Sequence, residues 1–194
     1  VVATVVLVRP LLEGSTEREV DEGGVEAPEV DRSPAPEVVD LRMPFTDVGA
    51  AWGIDFERDN GARGGKLLPE SLGGGVAVVD LDGDDRPDLV FIDGGPLLEE
   101  EPRTAIVAFR NTVGPDGEPR FVEVEGIPPF DGHGMGIAAG DVDGDGDPDL
   151  YVTFMGRDRL LENESSPGEI RLSDASEAFG IPADHAWSTA VGFA

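Results

Sequence analysis

No cysteine occurs in this 194-residue chain. That excludes disulfides, thiolate metal sites and cysteine nucleophiles, and it leaves the compartment open. Histidine occurs only twice, too rarely for a multi-histidine zinc site. Basic residues are scarce as well, with 14 Lys and Arg against 41 Asp and Glu and a formal net charge of −27. Duplex DNA or an anionic membrane surface would repel such a chain, so no nucleic-acid partner is expected. No serine sits in a nucleophile-elbow motif, and no Gly-rich loop follows a strand to open a helix, as phosphate binding needs. Gly73-Gly-Gly75 stands before a strand-like run instead. Long apolar runs are missing too: Val1 to Val8 is too short to cross a bilayer, which needs roughly 20 residues. The 39% apolar content still suffices for the core of one ordinary domain.

What the chain does have is aspartate in two matched loops. Asp80-Leu-Asp-Gly-Asp-Asp-Arg-Pro-Asp88 and Asp141-Val-Asp-Gly-Asp-Gly-Asp-Pro-Asp149 begin 61 residues apart. Each places carboxylates at positions 1, 3, 5 and 9, a concentration of charge that is costly unless a cation neutralises it. Oxygen-only ligands on a short turn suit a hard ion, Ca²⁺ before Mg²⁺. The expected ligands are Asp80, Asp82, Asp84 and Asp88 with the Arg86 carbonyl in the first loop. In the second they are Asp141, Asp143, Asp145 and Asp149 with the carbonyl of Asp147. About two ions are therefore expected, one per loop. Gly83, Gly144 and Gly146 allow the tight curl, and Asp85 stands where the second loop has Gly146. No glutamate occupies position 12 and no helices flank the loops, so the likeness to an EF-hand is local. An ion held wholly by one short loop leaves little room for substrate, which favours a structural role for it.

Around the loops the chain reads as short strands. Gly75–Val79 enters the first loop and Leu89–Ile92 leaves it, followed by Ala105–Phe109 and Phe121–Val124. Four strands in about 50 residues match one propeller blade. The second unit repeats the order with Gly136–Gly140, Leu150–Phe154, Arg159–Leu161 and Ile170–Leu172. A second signature, Phe45-Thr-Asp-Val-Gly-Ala-Ala-Trp-Gly-Ile54, recurs as Leu172-Ser-Asp-Ala-Ser-Glu-Ala-Phe-Gly-Ile181, and Asp174 to Phe179 can form one helical turn. Ala190–Ala194 aligns with the strands that enter both loops, so a third loop is expected to follow. Trp52, Phe179 and Trp187 are expected to fill blade interfaces. His133 and His185 both precede loop-entering strands, which favours a structural role over catalysis. Asn163-Glu-Ser165 matches a glycosylation sequon.

Three regions follow. Residues 1–10 read as the end of a membrane anchor or signal segment, with a Val-rich strand and processing ambiguity as alternatives. Residues 11–43 form an acidic, proline-containing linker, an extended tether that cannot bury enough surface to order itself. Residues 44–194 hold about two and a half repeats.

The loops with their flanks, Gly75 to Leu89 and Gly136 to Leu150, resemble the FG-GAP/VCBS repeat family. The segment at 45–54 looks closest to its ASPIC/UnbV-associated branch. The resemblance implies an all-β fold of propeller-type blades, four-stranded antiparallel units holding Ca²⁺ in their hairpin loops. It implies adhesion or assembly more than any reaction, and no catalytic residues are expected. The expectation is thus a calcium-binding repeat module working in protein–protein binding or assembly. It would be a scaffold or accessory subunit of a membrane protein complex, periplasmic or at the cell surface. The alternatives are a propeller-fold lyase or hydrolase of carbohydrate, with catalytic residues in further blades, and a cytoplasmic calcium sensor.

Overall fold

The computed structural model describes residues 46–95, 97, 105–130, 132–184 and 186–193. The expected anchor, the 11–43 linker, Phe45 and His185 lie outside the described residues. No helix among the described residues is long and apolar enough to cross a membrane.

The architecture is nearly all-β, in two antiparallel sheets, each built around one of the two aspartate loops. The first is a four-stranded meander of β1 (Val76–Val79), β2 (Asp88–Ile92), β3 (Ile106–Val113) and β4 (Pro119–Glu123). The second runs through β5 (His133–Gly140), β6 (Asp149–Gly156), β7 (Arg159–Asn163) and β8 (Leu172–Asp174), with β9 (Ala186–Trp187) paired to the far end of β6. In both, the aspartate loop closes the hairpin between the first two strands, with Val79 opposite Asp88 and Gly140 opposite Asp149. The expected propeller-type blades are therefore present as two consecutive units. The fourth strand of the second unit begins at Leu172 rather than Ile170, because Ser166 to Glu169 forms its own tight turn first.

Alternation of large apolar residues along β2 buries Val90 and Ile92 on one face and leaves Leu89 and Phe91 half-buried on the other. The buried face joins Ile106 and Ala108 of β3 to Leu150, Val152, Phe154 and Leu161 of the second sheet in one core. The blades meet closely at their first strands. A Cβ added to Gly75 would lie 2.9 Å from Gly136 Cα and from Ile137 N, so glycine is what permits this approach. Gly136 in turn faces Ala190, whose Cα would lie 3.7 Å from an added Cβ. The segment expected to be a third loop-entering strand thus lies against β5 as β5 lies against β1, although residues 188–193 form no strand, Ser188 N–H donating to Phe154 O of β6 (3.1 Å).

The repeated signature outside the loops has a structural counterpart. Gly49–Trp52 forms a one-turn helix, α1, ended by Gly53 at φ 91°, with Trp52 N–H donating to Val48 O and Ile54 N–H to Gly49 O (both 2.9 Å). The turn at 176–180 repeats this: Phe179 N–H donates to Ala175 O (3.1 Å), Ile181 N–H to Ser176 O (2.8 Å), and Gly180 has φ 71°. Both are glycine-ended helical turns of the Schellman type. The aromatic residues depart from expectation. Trp52 is half-buried, 6.5 Å from Phe121, but Phe179 and Trp187 are 42% and 40% exposed and do not fill a blade interface. Phe56, Phe91 and Phe109 make the stacked and edge-on contacts on the outer face of the first sheet.

Candidate metal centre

Position 9 of each loop is the fixed point. Asp88 is fully buried; its Oδ2 accepts from Leu81 N–H (2.9 Å) and its Oδ1 from Asn111 N–H on β3 (2.7 Å). Asp149 does the same, accepting from Val142 N–H (2.8 Å) and from Asn163 N–H on β7 (2.9 Å). One carboxylate thereby ties the start of the loop to the third strand of its own sheet. Burial pushes the pKa of both groups above the ordinary carboxylate value. The backbone amides oppose that rise, while Asp82 and Asp84 add to it at Asp88, and Asp143 and Asp145 add to it at Asp149.

Position 1 curls the loop. Asp80 accepts from Asp84 N–H and Asp85 N–H, and Asp141 from Gly144 N–H and Gly146 N–H. Asp85 takes φ 64° where Gly146 takes 103°, so position 6 of the first loop is left-handed without glycine. Position 3 completes a compact group. Asp80, Asp82 and Asp88 each bring one carboxylate oxygen within 4.8 Å of the others, and Asp141, Asp143 and Asp149 do likewise. The Asp145 carboxylate accepts from Asp147 N–H, and Asp84 is held by Arg86, which donates to it through both backbone and guanidinium. The position-5 carboxylates, Asp84 and Asp145, thus lie outside the two closest carboxylate groups.

The loops differ in cover. Asp82 is 2% exposed; its Oδ2 accepts from Gly168 N–H in the turn before β8 (2.9 Å), and its Oδ1 is buried with no hydrogen-bond partner. An orphaned anionic oxygen beside two other carboxylates is what a bound cation would satisfy, so these residues fit Ca²⁺. In the second loop Asp141 and Asp143 are exposed.

Two residues that the sequence did not connect with the loops complete the arrangement. Asn111 Nδ2 donates to Pro87 O (3.0 Å), and Asn163 Nδ2 donates to Pro148 O (3.1 Å), each fixing the proline that leaves its loop. Asn163 also donates to Leu81 O in the first loop (2.9 Å), joining the two repeats. The available signal was an asparagine two residues after a buried apolar strand residue in both units, Phe109 and Leu161. With Asn163 3% exposed and its amide engaged, the sequon is a structural asparagine here. His133 is also buried, its Nδ1 donating to Gly95 O (2.8 Å) across the repeat boundary.

Residues 80–152 match the family model described as FG-GAP-like repeat, a span that runs from position 1 of loop one to the strand leaving loop two. The match is to the repeat and does not single out the ASPIC/UnbV-associated branch. No curated protein and no solved structure matched the chain. Residues 80–152 are thus similar to the FG-GAP-like repeat, and they lie within the two propeller-type sheets.

Proposed function

We propose, with residues 80–152 taken as FG-GAP repeat, that this chain is a calcium-binding propeller-type module whose work is protein–protein binding or assembly. The observation that carries the calcium reading is the twice-repeated convergence of three aspartates, in one case around a buried oxygen with no partner. Bound Ca²⁺ would neutralise the loops; the chain's own residues hold the ligands in place, Asn111 and Asn163 through the position-9 carboxylates and proline carbonyls. The proposed setting is extracytoplasmic, periplasmic or at the cell surface, where calcium is abundant enough for loops of modest affinity. The proposed partner is a protein of a membrane-associated complex with a basic docking face, since a net charge of −27 steers such a surface toward it.

Thermal melting in millimolar calcium and in chelator tests the reading, with Asp82→Ala and Asp143→Ala alongside wild type. Calcium at 100 times its dissociation constant stabilises by about 2.7 kcal/mol per site. For a chain of this size that raises Tm by roughly 5–11 °C. Both variants should lose part of this gain. A wild-type Tm that chelation leaves unchanged defeats the calcium reading.

A further inference from the structure

The two loops share a pattern of carboxylates but not the charges around it. In the first, the Arg86 guanidinium is paired with Asp84 and its Nε donates to Asn111 O (3.4 Å). The Arg110 guanidinium lies 3.8 Å from the buried Asp82 carboxylate. The corresponding register positions of the second repeat hold acids: Asp147 is position 7 of its loop as Arg86 is of the first, and Glu162 precedes Asn163 as Arg110 precedes Asn111. One site therefore carries two positive charges against the one extra carboxylate of Asp85, which stands where the second loop has Gly146, and the other carries two further negative charges at the register positions of those arginines.

The first loop is also the joint between repeats. Asp82 Oδ2 accepts from Gly168 N–H and Leu81 O accepts from Asn163 Nδ2, both groups belonging to the second unit. A joint of this kind must stay closed whenever the module is folded. Cation affinity in oxygen-ligand loops rises with the number of ligand charges, and a fixed positive charge beside a carboxylate lowers its attraction for a second cation.

We infer that Arg86 and Arg110 stand in for part of the cation's charge in the first loop, so that the inter-repeat joint holds without calcium and the second loop is the calcium-responsive site. This rests on the calcium reading and assigns the two sites different duties. The arginines are positioning residues: Arg86 holds Asp84, and Arg110 compensates Asp82. Calcium that does enter the first loop still has the unpartnered Asp82 Oδ1 to meet, so that site is weakened rather than abolished.

Calorimetric titration of the full chain with calcium alone tests this. Asp143→Asn leaves the first loop as the principal site, and Asp82→Asn leaves the second while keeping an oxygen able to accept from Gly168 N–H. Asp143→Asn should bind more weakly than Asp82→Asn, by on the order of tenfold. Adding Arg86→Gln and Arg110→Gln to Asp143→Asn should tighten binding by about the same factor and make its melting calcium-dependent. The converse graft, Asp147→Arg with Glu162→Arg in the Asp82→Asn background, should weaken the second loop, and it keeps the test available if the glutamine variants fail to fold. Equal affinity at the two loops, or arginine removal that leaves calcium affinity unchanged, overturns the inference while the calcium reading survives. Absence of any calcium heat or melting shift in wild type defeats both.

Discussion

Replacing Asn163 by alanine tests the joint between repeats most directly. The side chain is 3% exposed and makes three hydrogen bonds: Nδ2 to Leu81 O (2.9 Å), Nδ2 to Pro148 O (3.1 Å), and Oδ1 from Ser165 N–H (3.0 Å). Leu81 is 1% exposed, so water cannot readily replace the lost donor at its carbonyl. A buried acceptor left unsatisfied costs about 1–3 kcal/mol, and a lost bond that water can replace about 0.5–1.5. The sum for Asn163→Ala is about 2–6 kcal/mol, a large share of the roughly 5–15 kcal/mol that holds a typical domain together. Asn111→Ala is the internal control. Among the described residues its amide makes only the bond within its own repeat, to Pro87 O, so it should cost about 0.5–1.5 kcal/mol. Urea unfolding at fixed calcium measures both through the midpoint, with the slope m checked for constancy. Equal losses for the two variants, or a loss below about 1 kcal/mol for Asn163→Ala, would refute the view that this asparagine fastens the second repeat to the first loop.

Asp88 and Asp149, with folded-state pKa values raised by burial, bind their protons more tightly folded than unfolded. Their contribution is fully present below the unfolded pKa of about 3.8 and is lost as pH rises through the raised value. Melting in chelator should therefore show stability falling as pH climbs above about 4, and millimolar calcium, which favours the carboxylate form, should remove that fall. Tyr151, the single tyrosine, is buried beside Asp158, and burial with that neighbouring charge pushes its pKa up to about 12. A 295 nm absorbance titration should place phenolate formation near 12 in the folded chain, and stability should drop as pH rises from 10 toward that value. A transition at the ordinary value in folded protein counts against the burial. Gly75→Ala would set a methyl 2.9 Å from backbone atoms of Gly136 and Ile137, and should cost about 1–3 kcal/mol in urea unfolding.

The loops and the strands around them were legible because their physics is local. Charge at positions 1, 3, 5 and 9, glycine or aspartate where the chain turns left-handed, and β-branched runs on either side together fix a hairpin. Seven of the eight expected strands fall where the first-sheet and second-sheet strands lie, differing only at their ends. The eighth moved because Ser166 to Glu169 pairs with itself and delays β8. Less legible was whatever depends on contact across the repeats. Nothing in Asn163-Glu-Ser165 distinguishes a glycosylation site from a buried fastener, since the deciding partner, Leu81, lies 82 residues away. Phe179 and Trp187 matched their repeat positions yet are half exposed, because sequence register places a residue on a face but not beneath a neighbour.

The difference in cover between the loops follows from the direction in which the repeats stack. Each unit presents its loop to the unit after it: Asp82 and Leu81 of the first are covered by Gly168 and Asn163 of the second. The turn that carries Gly168 has its counterpart in the first repeat at Gly117, where Pro115-Asp-Gly-Glu118 parallels Pro167-Gly-Glu169 and the same glycine N–H donates to Gly114 O within its own hairpin. The same turn is therefore self-contained in one repeat and reaches across in the other, and what differs is whether an aspartate loop lies within reach. By this rule Val142 and Asp143 are the positions a further repeat would cover, and both are more exposed than Leu81 and Asp82. An aspartate loop with one neighbouring repeat thus serves two connections at once, one within its hairpin through position 9 and one between units through position 3. A substitution at position 9 should loosen its own sheet first, whereas a substitution at position 3 of the first loop should loosen the joint first. Hydrogen exchange can separate them: Asp82→Ala should raise exchange at Gly168 N–H while leaving Asn111 N–H protected, and Asp88→Ala should raise exchange at Asn111 N–H. Uniform loss of protection in both variants would mean that the two connections open together and that the loop does not divide its work in this way.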